Sequence, residues 1–435
     1  MFSSRTNWPL EPNRFARALE EHRRSGKRLI DLTASNPTTC GFVYPEREIL
    51  AALANPRAME YKPESKGLYE ARAAVAEYYA GRQSLSAGST AVTPEQIVLT
   101  SGTSEAYSHV FRLLCEPGDE VLVPAPSYPL LDFLADLADV RLVTYPLLYD
   151  HGWQMDFSAL RAALTPGSRA IVVVHPNNPT GSFVKPHEAE ALADICRDWQ
   201  MAIVADEVFL DFADGAASAA SFATGSHLID GFRQGTASAV PKSMETPGVL
   251  TPEVGEIHGR AIYEMASSKR ALTFSLSGLS KISALPPMKL AWIVASGPEP
   301  QARTAIERLE IIADTYLSPS TPVQLAARKF LEMRSAMQAQ IKERVAVNLA
   351  FLDTQLRESS SISRLEREGG WCAVLRVPVS GSDESLAVDL MERCSVLVHP
   401  GNFFNFSQDG FLVLSLITSV AEFQEGIRRI REFFM

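Results

Sequence analysis

Cysteine is scarce in this sequence of 435 residues: five cysteines stand far apart, at positions 40, 115, 196, 372 and 394. This odd, dispersed set predicts neither a disulfide framework nor a Cys-x-x-Cys metal site, and unpaired thiols are typical of a reducing cytosol. The eight histidines show neither the His-x-x-x-His nor the His-Glu-x-x-His spacing. We therefore expect no metal centre.

Long apolar runs and an excess of positive charge are also missing. No run approaches the ~20 apolar residues that span a bilayer, and the first residues, MFSSRTNWPLEPN, lack the apolar core of a signal peptide. The formal net charge is −10 and no basic block stands out, which disfavours nucleic acid and anionic membranes as partners. We expect a cytoplasmic protein that binds neither nucleic acid nor membranes.

Short apolar, β-branched runs do occur, and they alternate with helical patterns. This alternation predicts βαβ units and a doubly wound, mostly parallel sheet covered on both faces. A chain of this length favours two packed domains, and we place the large α/β domain at about 61–315. Its predicted strands are IVLT (97–100), EVLVP (120–124), RLVTY (141–145), AIVVVH (170–175) and AIVAD (202–206).

The pattern changes after about residue 320, where a long helical stretch at 322–356 leads into short strands and a final helix. We predict a smaller α+β domain built from 1–60 and 316–435. Residues 213–262 are rich in Ala, Ser, Gly and Pro and show no period. They predict a surface insertion in the large domain. Either an insertion without function or a lid over the site is compatible with this composition.

Chemically useful side chains follow several of the predicted strands, and ligands of open α/β sheets bind at the carboxyl ends of strands. Each feature also has a plain structural explanation, such as a helix N-cap, a turn or core packing. Lys281 could likewise be an ordinary loop lysine that follows a serine, but its small and apolar surroundings in the sequence are unusual, because soluble proteins rarely bury lysine without a partner. The features are SGTSEA (101–106), Tyr128 in APSYP, HPNNPTG (175–181), DEVF (206–209) and Lys281 in SLSGLSK.

Taken together and in this order, these segments resemble the class I/II aminotransferases of the aspartate-aminotransferase superfamily, which are pyridoxal-phosphate (PLP) enzymes of fold type I. The resemblance covers about residues 28–430, and the set NNPTG, then Asp, then Ser-Lys is its most specific part. It implies pyridoxal 5'-phosphate as cofactor and a large doubly wound domain with a smaller α+β domain.

The resemblance also implies catalytic roles. Lys281 would form a Schiff base with the cofactor aldehyde and then act as general base. Asp206 would pair with the pyridine nitrogen and keep it protonated, which makes the ring an electron sink. Tyr128 would stack on the ring face, and Asn178 would donate a hydrogen bond to the 3-oxygen of the ring.

Phosphate binding and assembly follow from the same resemblance. Ser101, Gly102 and Thr103 would hold the phosphate at a helix N-terminus, with Lys289 as a nearby cation. Tyr61, in YKPESKGLYEAR, matches the tyrosine that reaches the phosphate of the neighbouring subunit. The expected active unit is therefore a homodimer with shared sites.

Three positions depart from the family pattern. Lys289 stands where an arginine is usual and keeps the charge but not the bidentate fork. Phe209 stands where a tyrosine is usual and lacks its hydroxyl. Val413, in GFLVLSL, stands where the family usually has an arginine that binds the substrate α-carboxylate. Such a charge-assisted hydrogen bond stabilises a complex by about 1.5–3 kcal/mol. Candidate replacements are the backbone near 35–38, Asn178, or a basic side chain from elsewhere, such as Arg270 or one on the insertion. Alternatively, the substrate is not a simple α-amino acid.

The interpretation that follows is a PLP-dependent aminotransferase acting between an amino acid and a 2-oxo acid. The missing arginine leaves two alternatives open: another PLP-dependent enzyme, such as a carbon–sulfur lyase, or a non-catalytic PLP-fold binder.

Overall fold

The computed structural model describes residues 1–83, 91–214, 265–357, 361–378 and 380–435. The predicted insertion at 213–262 lies outside the described residues except for its first two positions. The strands are β1 (Ile30–Asp31), β2 (Ile97–Thr100), β3 (Glu120–Ala125), β4 (Arg141–Tyr149), β5 (Trp153–Met155), β6 (Ser168–Val174), β7 (Ala202–Asp206), β8 (Thr273–Gly278), β9 (Ala291–Ser296), β10 (Ser363–Arg364), β11 (Cys372–Arg376), β12 (Val396–Leu397), β13 (His399–Pro400) and β14 (Phe411–Ser415).

The helices include every long one that the sequence predicted, but the stretch at 322–356 forms two helices rather than one, with a break at Met333. They are α1 (Arg14–Arg24), α2 (Glu46–Leu53), α3 (Tyr69–Gln83), α4 (Thr103–Leu114), α5 (Leu130–Leu137), α6 (Phe157–Ala162), α7 (Pro186–Asp198), α8 (Leu279–Ile282), α9 (Glu299–Tyr316), α10 (Thr321–Glu332), α11 (Arg334–Arg357), α12 (Asp383–Cys394) and α13 (Val420–Phe433). None of these described helices is long and apolar enough to cross a membrane.

An eight-stranded sheet forms the centre of the fold, in the order β2-β9-β8-β7-β6-β3-β4-β5. The five strands from β8 to β4 are parallel, whereas β9 and β5 run antiparallel to their neighbours. One face packs against α4, α5 and α9; the other packs against α6 and α7 at one end and α3 and α10 at the other. Helices on both faces explain why β6 and β7 are almost continuously apolar, and the predicted doubly wound α/β sheet is confirmed.

A second, antiparallel sheet has the order β10-β11-β14-β13. Strand β1 pairs in parallel with β12, which ties the N-terminal segment to the C-terminal region. One face of the four-stranded sheet packs on the core that contains α11, α12 and α13. The opposite face packs against β5 and the segment at 403–406. The division into domains at 61–315 and 1–60 plus 316–435 stays a prediction.

Candidate active site

The predicted site residues other than Tyr61 lie at one edge of the eight-stranded sheet, where its parallel strands end. Asp206, the last residue of β7, lies opposite Val174 of β6 on one side and Leu276 of β8 on the other. Gly278 at the end of β8 and Thr100 at the end of β2 both pair with Ala291 of β9. With ~4.8 Å between strands, the ends of β2 and β8 are about 10 Å apart.

Lys281 lies in the short helix α8, just beyond the end of β8. Its Nζ is 5.1 Å from the ring centroid of Trp371 and 5.5 Å from that of Phe209. Burial lowers the pKa of Lys281, while Cys372 and Asp206 act in the opposite direction. A lowered pKa increases the fraction of the neutral amine, which is the form that acts as a nucleophile and base.

Asp206 is held by two hydrogen bonds. Its Oδ1 accepts from the backbone N–H of Val208 at 3.2 Å, and its Oδ2 accepts from the hydroxyl of Tyr107 at 3.1 Å. Burial raises the pKa of Asp206 to about 6, although both hydrogen bonds and the nearby Lys281 oppose the rise. The carboxyl group is therefore fixed in orientation and would gain from a closer cation.

Asn178 follows β6 in the predicted turn and contacts a residue of the second sheet. Its Oδ1 accepts a hydrogen bond from Sγ of Cys372 at 3.5 Å. Burial raises the pKa of the Cys372 thiol to about 11, while Arg367 and Lys281 oppose the rise. The thiol is thus protonated at neutral pH and acts as a donor, which leaves the amide nitrogen of Asn178 free to donate elsewhere.

The glycine of the same turn brings the second sheet to this edge. Gly181 has a φ of +71°, and a Cβ there would overlap the carbonyl oxygen of Gly369. The carbonyl of Gly181 also accepts a hydrogen bond from the N–H of Glu368 at 3.1 Å. This close approach delivers the next residues, Trp371 and Cys372, to Lys281 and Asn178.

The segment Ser101–Gly102–Thr103 opens helix α4, as predicted. Gly102 is the N-cap, is extended and has no side-chain cap, and a Cβ on it would meet nothing within 4 Å. The N–H of Ser101 donates to the carboxylate of Glu105 at 2.5 Å. Open space in front of a helix N-terminus suits an anion.

Tyr128 and Lys289 lie at the rim of this sheet edge, and these two residues and Tyr61 make no described contact with Lys281 or Asp206. Tyr128 follows β3 with 49% of its surface exposed, and Tyr61 is 79% exposed. Lys289 is exposed and adopts a left-handed backbone with φ +49°. Their predicted roles stay predictions.

Three residues of the site escaped the sequence analysis: Tyr107, Trp371 and Cys372. Tyr107 lies one turn into α4, so its hydroxyl could have been expected near the strand ends once that helix was placed there. Trp371 and Cys372 follow the pair Gly369–Gly370, a signal for close backbone approach, but they come from the other sheet.

The position of the missing arginine is apolar. Val413 is 1% exposed and packs with Trp153, Val374 and Phe404. Arg270 is not a replacement, because it precedes β8 whereas Lys281 follows it, and it pairs with Asp194 at 3.2 Å. The arginine named as a candidate thus lies at the opposite edge of the sheet.

Comparison with known proteins identifies a family. The family described as aminotransferase class I and II matches residues 27–430. Glutamate-pyruvate aminotransferase AlaA of Haemophilus influenzae is 26% identical over 94% of this chain and 91% of its own length. Alanine aminotransferase of Mycobacterium tuberculosis is 26% identical over 94% of this chain and 86% of its own length.

Solved structures show the same fold. Alanine aminotransferase of Pyrococcus furiosus superposes with a TM-score of 0.79 at 22% identity, over 100% of this chain and 99% of the other. Aspartate aminotransferase of Thermotoga maritima gives a TM-score of 0.75 at 23% identity, over 99% of each chain. The chain therefore belongs to the class I and II aminotransferases, within the aspartate-aminotransferase superfamily of fold type I.

Proposed function

We propose that this aminotransferase uses pyridoxal 5'-phosphate to move an amino group between an amino acid and a 2-oxo acid. The observation that supports the cofactor best is the juxtaposition of Lys281 and Asp206 at the carboxyl ends of adjacent strands. One is an amine with a lowered pKa, and the other is an oriented carboxyl group with a raised pKa.

The residues present fit the cofactor. A protonated pyridine nitrogen would give Asp206 a directly bonded cation, because Tyr107 and Val208 supply only neutral donors. The free amide nitrogen of Asn178 suits the ring's 3-oxygen, and the exposed face of Tyr128 suits stacking on the ring. The open N-terminus of α4 suits the phosphate, and Lys289 would add a positive charge.

Pyridoxal 5'-phosphate, when bound, supplies an aldehyde for amines and a ring that accepts the electrons released at the substrate Cα. Lys281 would hold it through Nζ and, once displaced by the donor, would take the Cα proton on the same atom. Asp206 would keep the ring nitrogen protonated through Oδ1 or Oδ2. Phe209 offers no hydroxyl, so Asn178 is the proposed donor to the 3-oxygen.

We also propose a homodimer in which Tyr61 reaches the phosphate site of the neighbouring subunit. The high exposure of Tyr61 in a single chain supports this role. The large domain, 61–315, would hold the cofactor, and the small domain, 1–60 plus 316–435, would cover the substrate. A cytoplasmic location suits the five cysteines, which are all free.

Spectroscopy of the protein reconstituted with pyridoxal 5'-phosphate tests the proposal. Single amino acids should replace the absorption band of the lysine-bound cofactor by that of its amine form, and a 2-oxo acid should reverse the change. The donor panel starts with alanine, glutamate and aspartate, because relatives are named for these substrates. Lys281→Ala should abolish both changes.

Lys289→Ala is the matched control, because it removes an amine at the rim rather than at the reacting atom. It should weaken retention of the cofactor and still permit the conversion. If no amino acid in a broad panel yields the amine form, or if the amino group never appears on a 2-oxo acid, the proposed function is wrong.

A further inference from the structure

Val413 stands where an arginine usually binds the substrate carboxylate, so another residue has to bind the carboxylate of the amino donor. The inference that follows rests on the proposed function. In the register of β11 and β14, Cys372 pairs with Ser415, Val374 with Val413, and Arg376 with Phe411. Directly opposed residues share a face. Val413 is therefore on the face of Cys372, which contacts Asn178, so this face borders the active site.

Strand β13 extends the row of Val413. His399 is the register partner of Val413 on its other side, so the Cβ atoms are about 4.5–5.5 Å apart on the same face. Among the described residues of β11, β13 and β14, the basic side chains on this face are His399 and Arg376. His399 is thus the basic side chain that stands in the row of the missing arginine.

The surroundings of His399 also lie on the active-site side. Its ring is 5.7 Å from that of Phe404, and the carbonyl of Phe404 accepts a hydrogen bond from the N–H of Ser127 at 2.9 Å. Ser127 directly precedes Tyr128. His399 therefore belongs to the layer that backs the proposed ring-stacking residue.

The buried ring nitrogen of His399 has no hydrogen-bond partner in the described part of the chain. Nδ1 is buried and makes no hydrogen bond with the described residues. Burial lowers the pKa of His399, and Asp31 on β1 opposes this shift. A half-buried imidazole without a hydrogen-bonded partner would gain from an anion, because a charge-assisted hydrogen bond stabilises its cationic form.

Arg376 is the competing cation, but it is less well placed. It lies about 7 Å along the strand beyond the row of Val374, Val413 and His399, on the side away from Cys372. Its guanidinium is 5.8 Å from the ring centroids of both Tyr149 and Phe411, and its residue is exposed.

We propose that His399 binds the carboxylate of the amino donor in place of the arginine that Val413 lacks, which makes it a specificity-determining residue. The ligand class is an amino acid with a free carboxylate, held by one N–H donor rather than by a bidentate fork. Discrimination between an amino acid and the corresponding amine without a carboxylate then depends on His399.

The first test compares kcat/KM for an amino acid with kcat/KM for its decarboxylated amine. The ratio should fall about tenfold in His399→Phe at the acidic end of the pH profile, because one hydrogen bond to a charged group is lost. In the wild type the ratio should also fall as the pH rises through the pKa of His399. His399→Gln keeps a neutral donor, so its ratio should be intermediate and independent of pH over this range.

Arg376→Gln is the matched control on the same face, and its ratio should equal that of the wild type. An unchanged ratio in His399→Phe would overturn the proposal. So would a fall in Arg376→Gln that matches or exceeds that of His399→Phe, since Arg376 would then be the carboxylate ligand.

The second test needs no turnover and therefore separates this inference from the proposed function. Histidine ring signals of the wild-type protein are titrated by NMR with and without propionate, and His399 is assigned by the signal lost in His399→Gln. Propionate should raise the pKa of His399, because the bound carboxylate stabilises the imidazolium. A pKa of His399 that propionate leaves unchanged overturns the proposal, even if every amino acid transaminates.

Discussion

Asp206 is the residue whose titration should be visible in the stability of the protein without cofactor. Its pKa is about 6 in the folded chain and 3.8 in the reference state, so the folded state binds the proton more tightly. Its stabilising contribution is therefore complete below about pH 4 and is lost as the pH rises through 6. The difference corresponds to at most about 3 kcal/mol.

The measurement is urea unfolding of the cofactor-free wild type and of Asp206→Asn, from pH 4 to pH 7.5. The variant should gain stability relative to the wild type across this range, by up to about 3 kcal/mol. Lys281 is present in both proteins, so its own titration largely cancels. If the two stability curves ran parallel with pH, the pKa of Asp206 would not be raised in the folded protein.

Cys372 offers a second prediction at the scale of single residues. Its thiol donates to Asn178, so Cys372→Ala should leave the amide of Asn178 free to turn, whereas Cys372→Ser keeps a donor. We expect the dissociation constant of pyridoxal 5'-phosphate to rise about two- to tenfold in the alanine variant, the equivalent of one neutral hydrogen bond. Equal weakening in both variants would mean that the thiol acts through packing.

Single residues also show where the sequence analysis succeeded and where it failed. Asp206 and Asn178 could be placed because one ends and the other follows a predicted strand, and strand ends of one sheet meet at one edge. Lys281 was assigned by the family resemblance, since the strand before it was not predicted. Cys372 could not, because it reaches the site from the second sheet, and the same holds for His399, for which we propose a role there. Their position depends on antiparallel register, which short strands of similar composition do not specify.

At the scale of elements, the turn after β6 and the entry to β11 hold each other in place. Gly181 needs its positive φ, and Gly369 leaves no space for a Cβ on it. Gly181→Ala should therefore cost about 1–2 kcal/mol of unfolding free energy for the left-handed backbone alone, and more for the overlap. It should also weaken cofactor binding, because Trp371 and Cys372 move with the displaced segment.

Gly81→Ala is the matched comparison, since Gly81 lies in α3 and a Cβ there meets nothing within 4 Å. It should stabilise the protein by about 0.5–1 kcal/mol. If both variants unfolded alike in urea, the close contact between Gly181 and Gly369 would have no energetic consequence.

The elements themselves were only partly predictable. Strands β2, β3, β4, β6 and β7 follow from apolar, β-branched runs and were confirmed. Strand β8, TFSLSG, was not predicted, because serine and glycine hide its apolar pattern. Its neighbour β9, AWIVAS, is separated from β8 only by the four-residue helix α8 and one 3-10 turn, without a long crossover helix. An antiparallel insertion of this kind breaks the βαβ rhythm on which the prediction depended.

At the scale of the whole molecule, the proposed shared sites can be tested by mixing subunits. Tyr61→Asp should disable the site of the neighbouring subunit by placing a carboxylate against its phosphate, and Tyr61 is exposed enough to be replaced without disturbing the fold. Lys281→Ala disables the site of its own subunit. Each variant alone should be nearly inactive.

Hybrid dimers of these two variants should regain activity, because one of their two sites combines an intact Lys281 with an intact Tyr61. With random mixing, half of the dimers are hybrids with one working site each, so about a quarter of the wild-type activity should return. Co-expression with two different affinity tags and tandem purification would isolate the hybrids. Hybrids that stay as inactive as their parents would place Tyr61 and Lys281 in the same site of one chain. The proposal that two subunits share each active site would then be wrong.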